Sequence, residues 1–348
     1  MNPYILATMI FGLGLGTTVT FTSSHWFLAW MGLEINTLAI IPLMAQTHHP
    51  RAVEATTKYF LTQATAATTI LFACTTNAWL TGQWDIYQLT HPFPAMMIYL
   101  ALALKIGLAP LHAWLPEVLQ GLDLTTGLIL STWQKLAPFA LLLQIQPTDS
   151  TIPIILGLTS TLVGGWGGLN QTQLRKILAY SSIAHLGWML LIIQFSPSLT
   201  FLTLITYILM TSSTFLIFKA NKSTNINSLA TSWTKSPALT SLTPLILLSL
   251  GGLPPLTGFM PKWLILQELT KQDLGLTATL AALSALLSLY FYLRLSHAMT
   301  LTISPNNLAG TTPWRLAPNH QTMPLATVTS ATICLLPLTP ALTTILTI

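Results

Sequence analysis

Four charged side chains, Glu34, Lys105, Lys135 and Lys262, each lie near the middle of a long apolar stretch. A charge at the centre of a membrane-spanning helix costs at least ~2.5–3.5 kcal/mol on insertion scales, so a retained charge commonly marks an ion or proton path. Lysine suits proton transfer because burial disfavours its charged form, whereas arginine always stays charged. The four residues therefore predict a proton relay inside a membrane.

Glu34 and Lys105 are the two buried charges that can pair. Glu34 lies ten residues into its apolar stretch, and Lys105 lies at similar depth just before an interruption in another. If the two are adjacent, each holds the other charged, and moving Glu34 away lets Lys105 release its proton, which is a switch. The alternative is a fixed ion pair that only holds two helices together, although buried pairs are weak evidence for stability.

Lys135 and Lys262 extend the predicted relay. Lys135 lies ten residues into its stretch, too far from either end for its stem to reach water, which argues against the alternative of a snorkelling lysine. Lys262 follows an interrupted segment, so its depth is less defined. Its alternative is a lysine at the end of a half-helix near the membrane surface.

Two histidines are predicted as secondary relay residues. His185 is central in its stretch and is expected to pass protons between Lys135 and Lys262, while His112 is expected to link Lys105 to Lys135. The alternative for each is a ring that is satisfied locally, for example by a serine hydroxyl one turn away. The other six histidines fall in or near predicted loops.

The elements that position these residues are membrane-spanning helices. Only 6% of the 348 residues are charged, against roughly 25% in soluble domains, and 52% are hydrophobic. Apolar stretches of about 20 residues, long enough to cross a hydrocarbon core of ~30 Å, recur along the whole chain. The sequence predicts an all-α polytopic membrane protein, a single transmembrane domain without a soluble one. The scattered basic residues do not indicate nucleic-acid binding.

The apolar stretches predict eleven transmembrane helices, called spans 1 to 11 here. They run near residues 3–22, 25–44, 58–80, 95–120, 125–146, 151–169, 174–194, 199–219, 237–267, 276–296 and 323–346. The segment Pro305–His320 is predicted to be a surface loop.

Spans 4 and 9 are predicted to be broken helices. Gly107 and Pro110 interrupt span 4, and Gly252, Pro254 and Pro255 interrupt span 9. Proline removes a backbone donor and clashes with the preceding turn, and glycine lowers helix propensity. Unpaired backbone at membrane depth survives only where protein or a wet cavity surrounds it.

The broken spans lie five spans apart and so run in opposite directions. This predicts two inverted five-helix repeats, 1–146 and 151–296, each broken at its fourth helix, with the helix 323–346 appended. Paired interrupted helices in corresponding places point to a transport site. The alternative is that glycine and proline are merely common in membrane helices.

The basic residues predict the orientation. If the eleven spans are right, all but one of the basic residues in the loops lie on the N-terminal side. They are Arg51, Lys58, Arg175, Lys176, Lys219, Lys222, Lys235, Arg294 and Arg315. The opposite side carries only Lys271. By the positive-inside rule the N-terminus faces the cytoplasm-like compartment, which is the matrix in a mitochondrion, and the C-terminus faces away from it.

Other chemistry is not expected in this chain. The two cysteines, Cys74 and Cys334, lie in apolar stretches and are too few for a zinc or iron–sulfur site. No metal-ligand spacing, phosphate loop or nucleophile elbow is found. The first basic residue is Arg51, so neither a signal nor a transit peptide is indicated, and insertion without a cleaved precursor is expected.

Six stretches together resemble the antiporter-like membrane-arm subunits of mitochondrial respiratory complex I, over the whole chain. These are MNP at 1–3, WMGLEIN at 30–36, KIGLAPLHAWLPE at 105–117, WQKLAP at 133–138, AYSSIAHLGW at 179–188 and GLPPLTGFMPKW at 252–263. The Thr- and Leu-rich, Lys-poor composition is similar to that of mitochondrially encoded proteins.

The resemblance implies more than the residues do. Such subunits are related to multisubunit cation/proton antiporters and are thought to move protons from the matrix to the intermembrane space. NADH:ubiquinone oxidoreduction on other subunits, which hold FMN, iron–sulfur clusters and ubiquinone, drives them. Glu34 and Lys105 then match the ion pair of the first half-channel, Lys135 the central lysine, and Lys262 the lysine of the second broken helix. Bacterial members have about fourteen helices, and this chain looks to lack the first three.

Partners and alternatives follow from the same resemblance. Expected partners are other membrane-arm subunits, including sister antiporter-like chains, and lipids. A stand-alone sodium/proton antiporter is the main alternative, but a Na⁺ site needs several oxygen ligands, and Glu34 is the only carboxylate predicted at mid-membrane. A scaffold whose buried charges only connect neighbouring subunits is the other alternative.

Overall fold

The computed structural model describes residues 2–89, 91–145, 151–234, 236–301 and 322–347. Within these ranges the chain is helical, apart from loops and two single-residue bridges, His25 with Asp85 and Gln173 with Asn225. Two compact units divide the chain, Met1–Ile152 and Pro153–Ile348. The predicted loop Pro305–His320 and the basic residues Lys235 and Arg315 lie outside the described residues.

The described helices of the first unit are seven in number. They are α1 (Pro3–Thr22), α2 (Trp26–Met44), α3 (Pro50–Thr81), α4 (Pro92–Ile106), α5 (Trp114–Gly121), α6 (Leu124–Ser131) and α7 (Trp133–Gln144). Helix α1 packs on α2 and α7, and α3 packs on α2, α4 and α5.

The second unit contains the remaining described helices. They are α8 (Thr151–Gly168, whose first two residues precede the unit), α9 (Leu174–Ile192), α10 (Pro197–Ala220), α11 (Ile226–Ala230), α12 (Pro237–Gly251), α13 (Phe259–Lys271), α14 (Gly275–Leu301), α15 (Thr322–Cys334) and α16 (Thr339–Thr347). Short 3₁₀ turns follow α11 and α15. Side chains of α9, α13 and α14 form an apolar core that includes Trp188, Leu191, Ile265 and Leu269.

Several helices are long and apolar enough to cross a membrane. Among the described residues these are α1, α2, α8, α10 and α14, and a sixth span results if α15 and α16, bent by 66°, count as one. The predicted all-helical, multi-span membrane protein agrees with this finding. The bend in the last span was not predicted; Pro337 and Pro340 lie at it, and each removes a backbone donor.

The chain leaves helical geometry in spans 4 and 9, where glycine and proline interrupt the sequence. Helix α4 ends at Gly107, with φ of +86°, and α12 ends at Gly252, with φ of +81°. Left-handed backbone favours glycine because it has no Cβ. In each case the N–H after the glycine bonds back to the carbonyl of Ala103 or Leu248. The glycine N–H bonds to that of Leu104 or Ser249, and the two bonds together form the Schellman ending of a helix.

A third interruption divides the predicted span 125–146. It separates α6 from α7 at Thr132, where no glycine or proline occurs. Both the backbone N–H and the hydroxyl of Thr132 donate to the carbonyl of Leu128, at 3.0 and 2.7 Å. Such back-bonding by a threonine side chain bends helices. Lys135 therefore lies in the first turn of α7 rather than in the middle of a continuous helix.

Helices α1 and α2 approach closely at two glycines. A Cβ added to Gly32 would lie 2.6 Å from Thr20 Cγ2 and 2.9 Å from the carbonyl oxygen of Gly16. Small residues let helix backbones pack at short distance in membranes. Glu34 and Asn36 follow Gly32 on α2, so this contact fixes the part of α2 that carries them.

Most threonine hydroxyls of the described helices donate to a carbonyl three or four residues earlier. On the exposed face of α3, for example, Thr65 donates to Thr62, Thr68 to Thr65 and Thr75 to Phe72, at 2.8–2.9 Å. Each such hydroxyl is satisfied within its own helix and needs neither water nor a neighbouring chain.

Candidate functional site

A small cavity in the first unit, lined by both polar and apolar side chains, brings two of the four predicted relay residues together. Lys105 of α4 and Lys135 of α7 both line it. The other polar residues in its wall are Asn36, Thr37, Tyr59, Gln63 and Gln134. It offers about 20 Å³ to the centres of water molecules, which is room for at least one. The two lysines therefore share one cavity.

Lys105 is buried in the last turn of α4 and is 7% exposed. Its Nζ has no hydrogen-bond partner among the described residues, and its backbone carbonyl accepts from Gln63 Nε2 at 3.3 Å. A buried ammonium without a fixed partner is unfavourable. Water in the cavity would supply the acceptor that this ammonium lacks.

Glu34 is half-buried on α2, and its Oε2 is buried without a partner among the described residues. Its charge acts on Lys105 and on Tyr59. However, the ion pairs within 4.0 Å in the described part of the chain are Lys58 with Glu54, Lys58 with Glu117, and Lys271 with Glu268. Glu34 and Lys105 are thus electrostatic neighbours that do not form a direct ion pair in this structure.

Lys135 is 4% exposed and lies immediately after the interruption at Thr132. Beside it, Gln134 Nε2 donates to the backbone carbonyl of Asn36 at 3.4 Å, which joins α7 to α2. The break between α6 and α7 therefore sets the position of Lys135 at the cavity.

Asn36 is a site residue that the sequence reasoning missed. Both polar atoms of its side chain are buried without a partner in the described part of the chain, and it lines the cavity with the two lysines. An amide that can donate and accept suits a bound water. The available signal was a polar residue two positions after Glu34 in an apolar helix. Tyr59, Gln63 and Gln134 were missed as well.

His112 lies after the first break and is half-buried. Its Nδ1 is 3.2 Å from the carbonyl oxygen of Pro110. It is not among the residues that line the cavity, so the structure brings Lys105 and Lys135 together without it.

Lys262 lies in the second unit, in the first turn of α13, and is 8% exposed. Its Nζ donates to the carbonyl of Gly251 at 2.8 Å and reaches that of Leu250 at 3.5 Å. These carbonyls end α12, where the helix dipole favours a cation. A Cβ on Gly252 would lie 2.9 Å from Lys262 Cδ, so the lysine folds back over the break.

His185 is half-buried in the middle of α9. Its ring packs against the ring of Tyr207 on α10, with centroids 5.7 Å apart. In the second unit, therefore, a predicted relay histidine lies beside a buried tyrosine.

The two breaks share a sequence pattern at an offset of 145 residues. KIGLAPLHAWLPE at 105–117 aligns with LGGLPPLTGFMPK at 250–262 without a gap, and glycine, leucine and proline recur at the same places. The alignment sets Glu117 opposite Lys262. Thus one position after the break carries an acid in the first unit and a base in the second.

Glu117 has its own partner at the start of α3. Lys58 Nζ lies 2.8 Å from Glu117 Oε2 and 2.8 Å from Glu54 Oε1. The hydrogen bond from Lys58 holds the pKa of the Glu54 carboxyl below its ordinary value. All three side chains are largely exposed, so this cluster is a surface feature, distinct from the cavity.

The described residues contain no group of three or more His, Cys, Asp or Glu side chains placed to hold a metal ion. The arrangement can instead hold and move protons: ammonium groups, amides and a phenol around a small cavity in the first unit, and a lysine at a broken helix in the second.

Comparison with protein families gives two adjoining matches. Residues 23–288 match the family described as NADH:quinone oxidoreductase/Mrp antiporter, transmembrane. Residues 289–343 match the family described as NADH dehydrogenase subunit 2 C-terminus.

Whole-chain relatives carry the same description. NADH-ubiquinone oxidoreductase chain 2 of Tetraodon nigroviridis is 76% identical over 345 residues, which are 99% of each chain. That of Salmo salar is 72% identical over 349 residues and covers 100% of both.

Solved structures share the fold. A chain of respiratory complex I from Thermus thermophilus with bound aureothin has a TM-score of 0.86 at 28% identity, covering 97% of this chain and 79% of that one. A chain of the Mrp complex from Dietzia sp. DQ12-45-1b has a TM-score of 0.75 at 18% identity, covering 84% and 60%. The latter likeness concerns the fold alone.

Proposed function

The chain belongs to the NADH:quinone oxidoreductase/Mrp antiporter transmembrane family, and within it to the chain 2 subunits of NADH-ubiquinone oxidoreductase. From that premise we propose that it moves protons from the matrix to the intermembrane space as a membrane-arm subunit of respiratory complex I. As part of that complex it serves the proton-translocating NADH:ubiquinone reductase. FMN, the iron–sulfur clusters and the ubiquinone site belong to other subunits.

One observation carries the proposal: the buried side chains of Lys105 and Lys135 line the same cavity, which has room for water. A proton can pass between two lysines through a water that both contact, provided that neither is locked in an ion pair. In the first unit the relay consists of Glu34, Lys105 and Lys135. Glu34 acts on Lys105 electrostatically and without direct contact, so a small movement changes that influence.

Lys262 is the proposed relay residue of the second unit. Its ammonium is stabilised by the carbonyls of Gly251 and Leu250, and loss of its proton would weaken these hydrogen bonds. His185 is its secondary partner, and His112 has the same role in the first unit, where its ring is held by the Pro110 carbonyl.

The fold on which this rests is the eleven-span arrangement with two inverted repeats, 1–146 and 151–296, broken at Gly107, Pro110, Gly252, Pro254 and Pro255. The pattern repeated at an offset of 145 residues supports it, as do the matching helix endings at the two glycines. Paired broken helices are the usual site of ion binding in transporters built from such repeats.

The protein is expected in the mitochondrial inner membrane with its N-terminus in the matrix and its C-terminus in the intermembrane space. The distribution of basic residues supports this orientation. Expected partners are the other membrane-arm subunits, including sister antiporter-like chains, together with lipids.

The test is the substitution Lys135→Met in the intact complex, reconstituted in lipid vesicles. Methionine keeps the volume of the stem but cannot carry a proton. We expect proton pumping to fall about tenfold or more, as loss of a proton-transfer group typically does, with complex assembly unchanged. Lys58→Met, at an exposed lysine, is the matched control and should pump normally.

The alternatives predict other results. If Lys135→Met assembles and pumps at the normal rate, the relay is wrong and the lysine is a structural charge. If the chain alone in vesicles exchanges Na⁺ for protons, the stand-alone antiporter is the better function.

A further inference from the structure

Four buried hydroxyl groups on α9, α10 and α14 lie in the same unit as Lys262 and His185. They belong to Ser181 and Ser182 of α9, Tyr207 of α10 and Tyr292 of α14, and none is more than 2% exposed. We refer to them as the hydroxyl cluster.

The cluster reaches His185 through Tyr207. The ring of Tyr207 contacts the ring of His185, and its hydroxyl is hydrogen-bonded to Ser182. Ser182 donates its own proton to the carbonyl of Ala179 at 2.7 Å. Its oxygen is therefore the acceptor for the proton of Tyr207.

Tyr292 lies at the other end. Its hydroxyl faces Ser181, yet it forms no well-aligned hydrogen bond with any described residue. Ser181 itself donates to Leu178 at 2.7 Å. A buried phenol in this condition requires an explanation, and a bound water or a proton in transit is one.

The Tyr292 side chain also reaches the broken helix. A Cβ on Gly251 would lie 3.7 Å from Tyr292 Cδ2, and the carbonyl of Gly251 accepts from Lys262 at 2.8 Å. The ring of Tyr292 therefore lies against the end of α12, whose Gly251 carbonyl holds the Lys262 ammonium, and the ring of Tyr207 lies against His185.

We propose that the hydroxyl cluster conducts protons between Lys262 and His185, with Tyr292 at the lysine end and Tyr207 at the histidine end. The inference rests on the proposed function, because it adds residues to that relay. Bound water completes the path where adjacent groups are not directly bonded.

Proton balance is preserved at every hydroxyl. Each oxygen accepts a proton on a lone pair from one neighbour and releases its own proton to the next, so no tyrosine or serine remains charged. Rotation of the hydroxyls then restores the starting arrangement. At the ends, Lys262 loses one proton while His185 gains one, or the reverse.

The test compares Tyr292→Phe and Tyr207→Phe with Tyr290→Phe, each in the intact complex in lipid vesicles. Phenylalanine keeps the ring and removes only the hydroxyl. Tyr290 is on the same helix, two residues from Tyr292, but is 60% exposed. We expect the first two variants to pump about tenfold more slowly and to show a larger solvent deuterium isotope effect, while Tyr290→Phe remains normal.

Normal pumping in both cluster variants, or an equal loss in Tyr290→Phe, would overturn the proposal, since the tyrosines would then only pack. If a phenylalanine variant does not assemble, Ser181→Ala and Ser182→Ala provide the same test without altering a ring. The variant Lys262→Met distinguishes failure of the hydroxyl path from failure of the whole proposed relay. If it stops pumping while the cluster variants pump normally, only the hydroxyl path fails; if it too pumps normally, the proposed relay fails with it.

Discussion

Lys105 and Lys262 are both buried ammonium groups, but their surroundings differ. Lys262 is held by two carbonyls at the end of α12, whereas the Nζ of Lys105 has no partner among the described residues. The charged form of Lys262 is thus favoured locally by the end of a helix. The charged form of Lys105 depends instead on the carboxylate of Glu34, which does not touch it. The charge of Lys105 is therefore sensitive to substitution of Glu34.

Glu34→Gln is therefore expected to slow proton pumping about tenfold, because it removes the charge that acts on Lys105 and keeps the shape of the side chain. The measurement is the pumping rate of the reconstituted complex. Glu54→Gln is the matched control, since that carboxylate is 62% exposed. Similar rates for both variants would show that Glu34 has only a packing role.

At the scale of the helices, the residues on facing sides determine how closely two backbones can pack. At the crossing of α1 and α2, Gly16 and Gly32 lie so close that each would place a new Cβ within 3 Å of the other's carbonyl oxygen. Since Asn36 of the cavity is one turn along α2, a wider crossing would shift a wall of the site.

Gly32→Ala is expected to destabilise the first unit by about 1–3 kcal/mol, the usual effect of overpacking. The measurement is the amount of assembled complex retained after stepwise heating. Gly14→Ala on α1 is the control because nothing lies within 4 Å of its added Cβ, and it should behave like the wild type. Equal stability of the two variants would contradict the close crossing.

At the scale of the helices, the sequence predicts some of the breaks seen in the structure but not others. The breaks at Gly107 and Gly252 were recognisable because glycine lowers helix propensity and the prolines that follow each glycine remove backbone donors. The break at Thr132 was not, since it depends on a hydroxyl that bonds its own backbone. Similarly, the Asn36 side chain has no hydrogen-bond partner among the described residues because of how α2, α4 and α7 pack. The spacing of residues along one helix does not predict that packing.

At the scale of the whole molecule, charge distribution determines the expected orientation. In the described part of the chain, Lys219 lies in the last turn of α10 and Lys222 follows it, whereas Lys271 ends α13 on the side predicted to be opposite. All three are exposed. Because the positive-inside rule concerns insertion, this asymmetry makes a prediction for the assembled protein.

A membrane-impermeant amine reagent should modify Lys271 in mitoplasts, and Lys219 or Lys222 in inverted inner-membrane particles. Mass spectrometry of the digested chain reads out both. Modification of Lys222 in mitoplasts, with Lys271 protected, would mean that the predicted orientation is reversed.

The self-bonded threonines of the described helices bear on how such chains drift in evolution. The hydroxyl of Thr65 or Thr75 is hydrogen-bonded within its own helix, so the side chain exposes to lipid two carbon atoms and an oxygen that is already hydrogen-bonded. The surface of such a threonine that contacts lipid is therefore similar to that of valine. Exchange between threonine, valine and alanine at these positions should be close to neutral, so the outer surface of these helices can change in sequence without altering the hydrogen bonds of the interior.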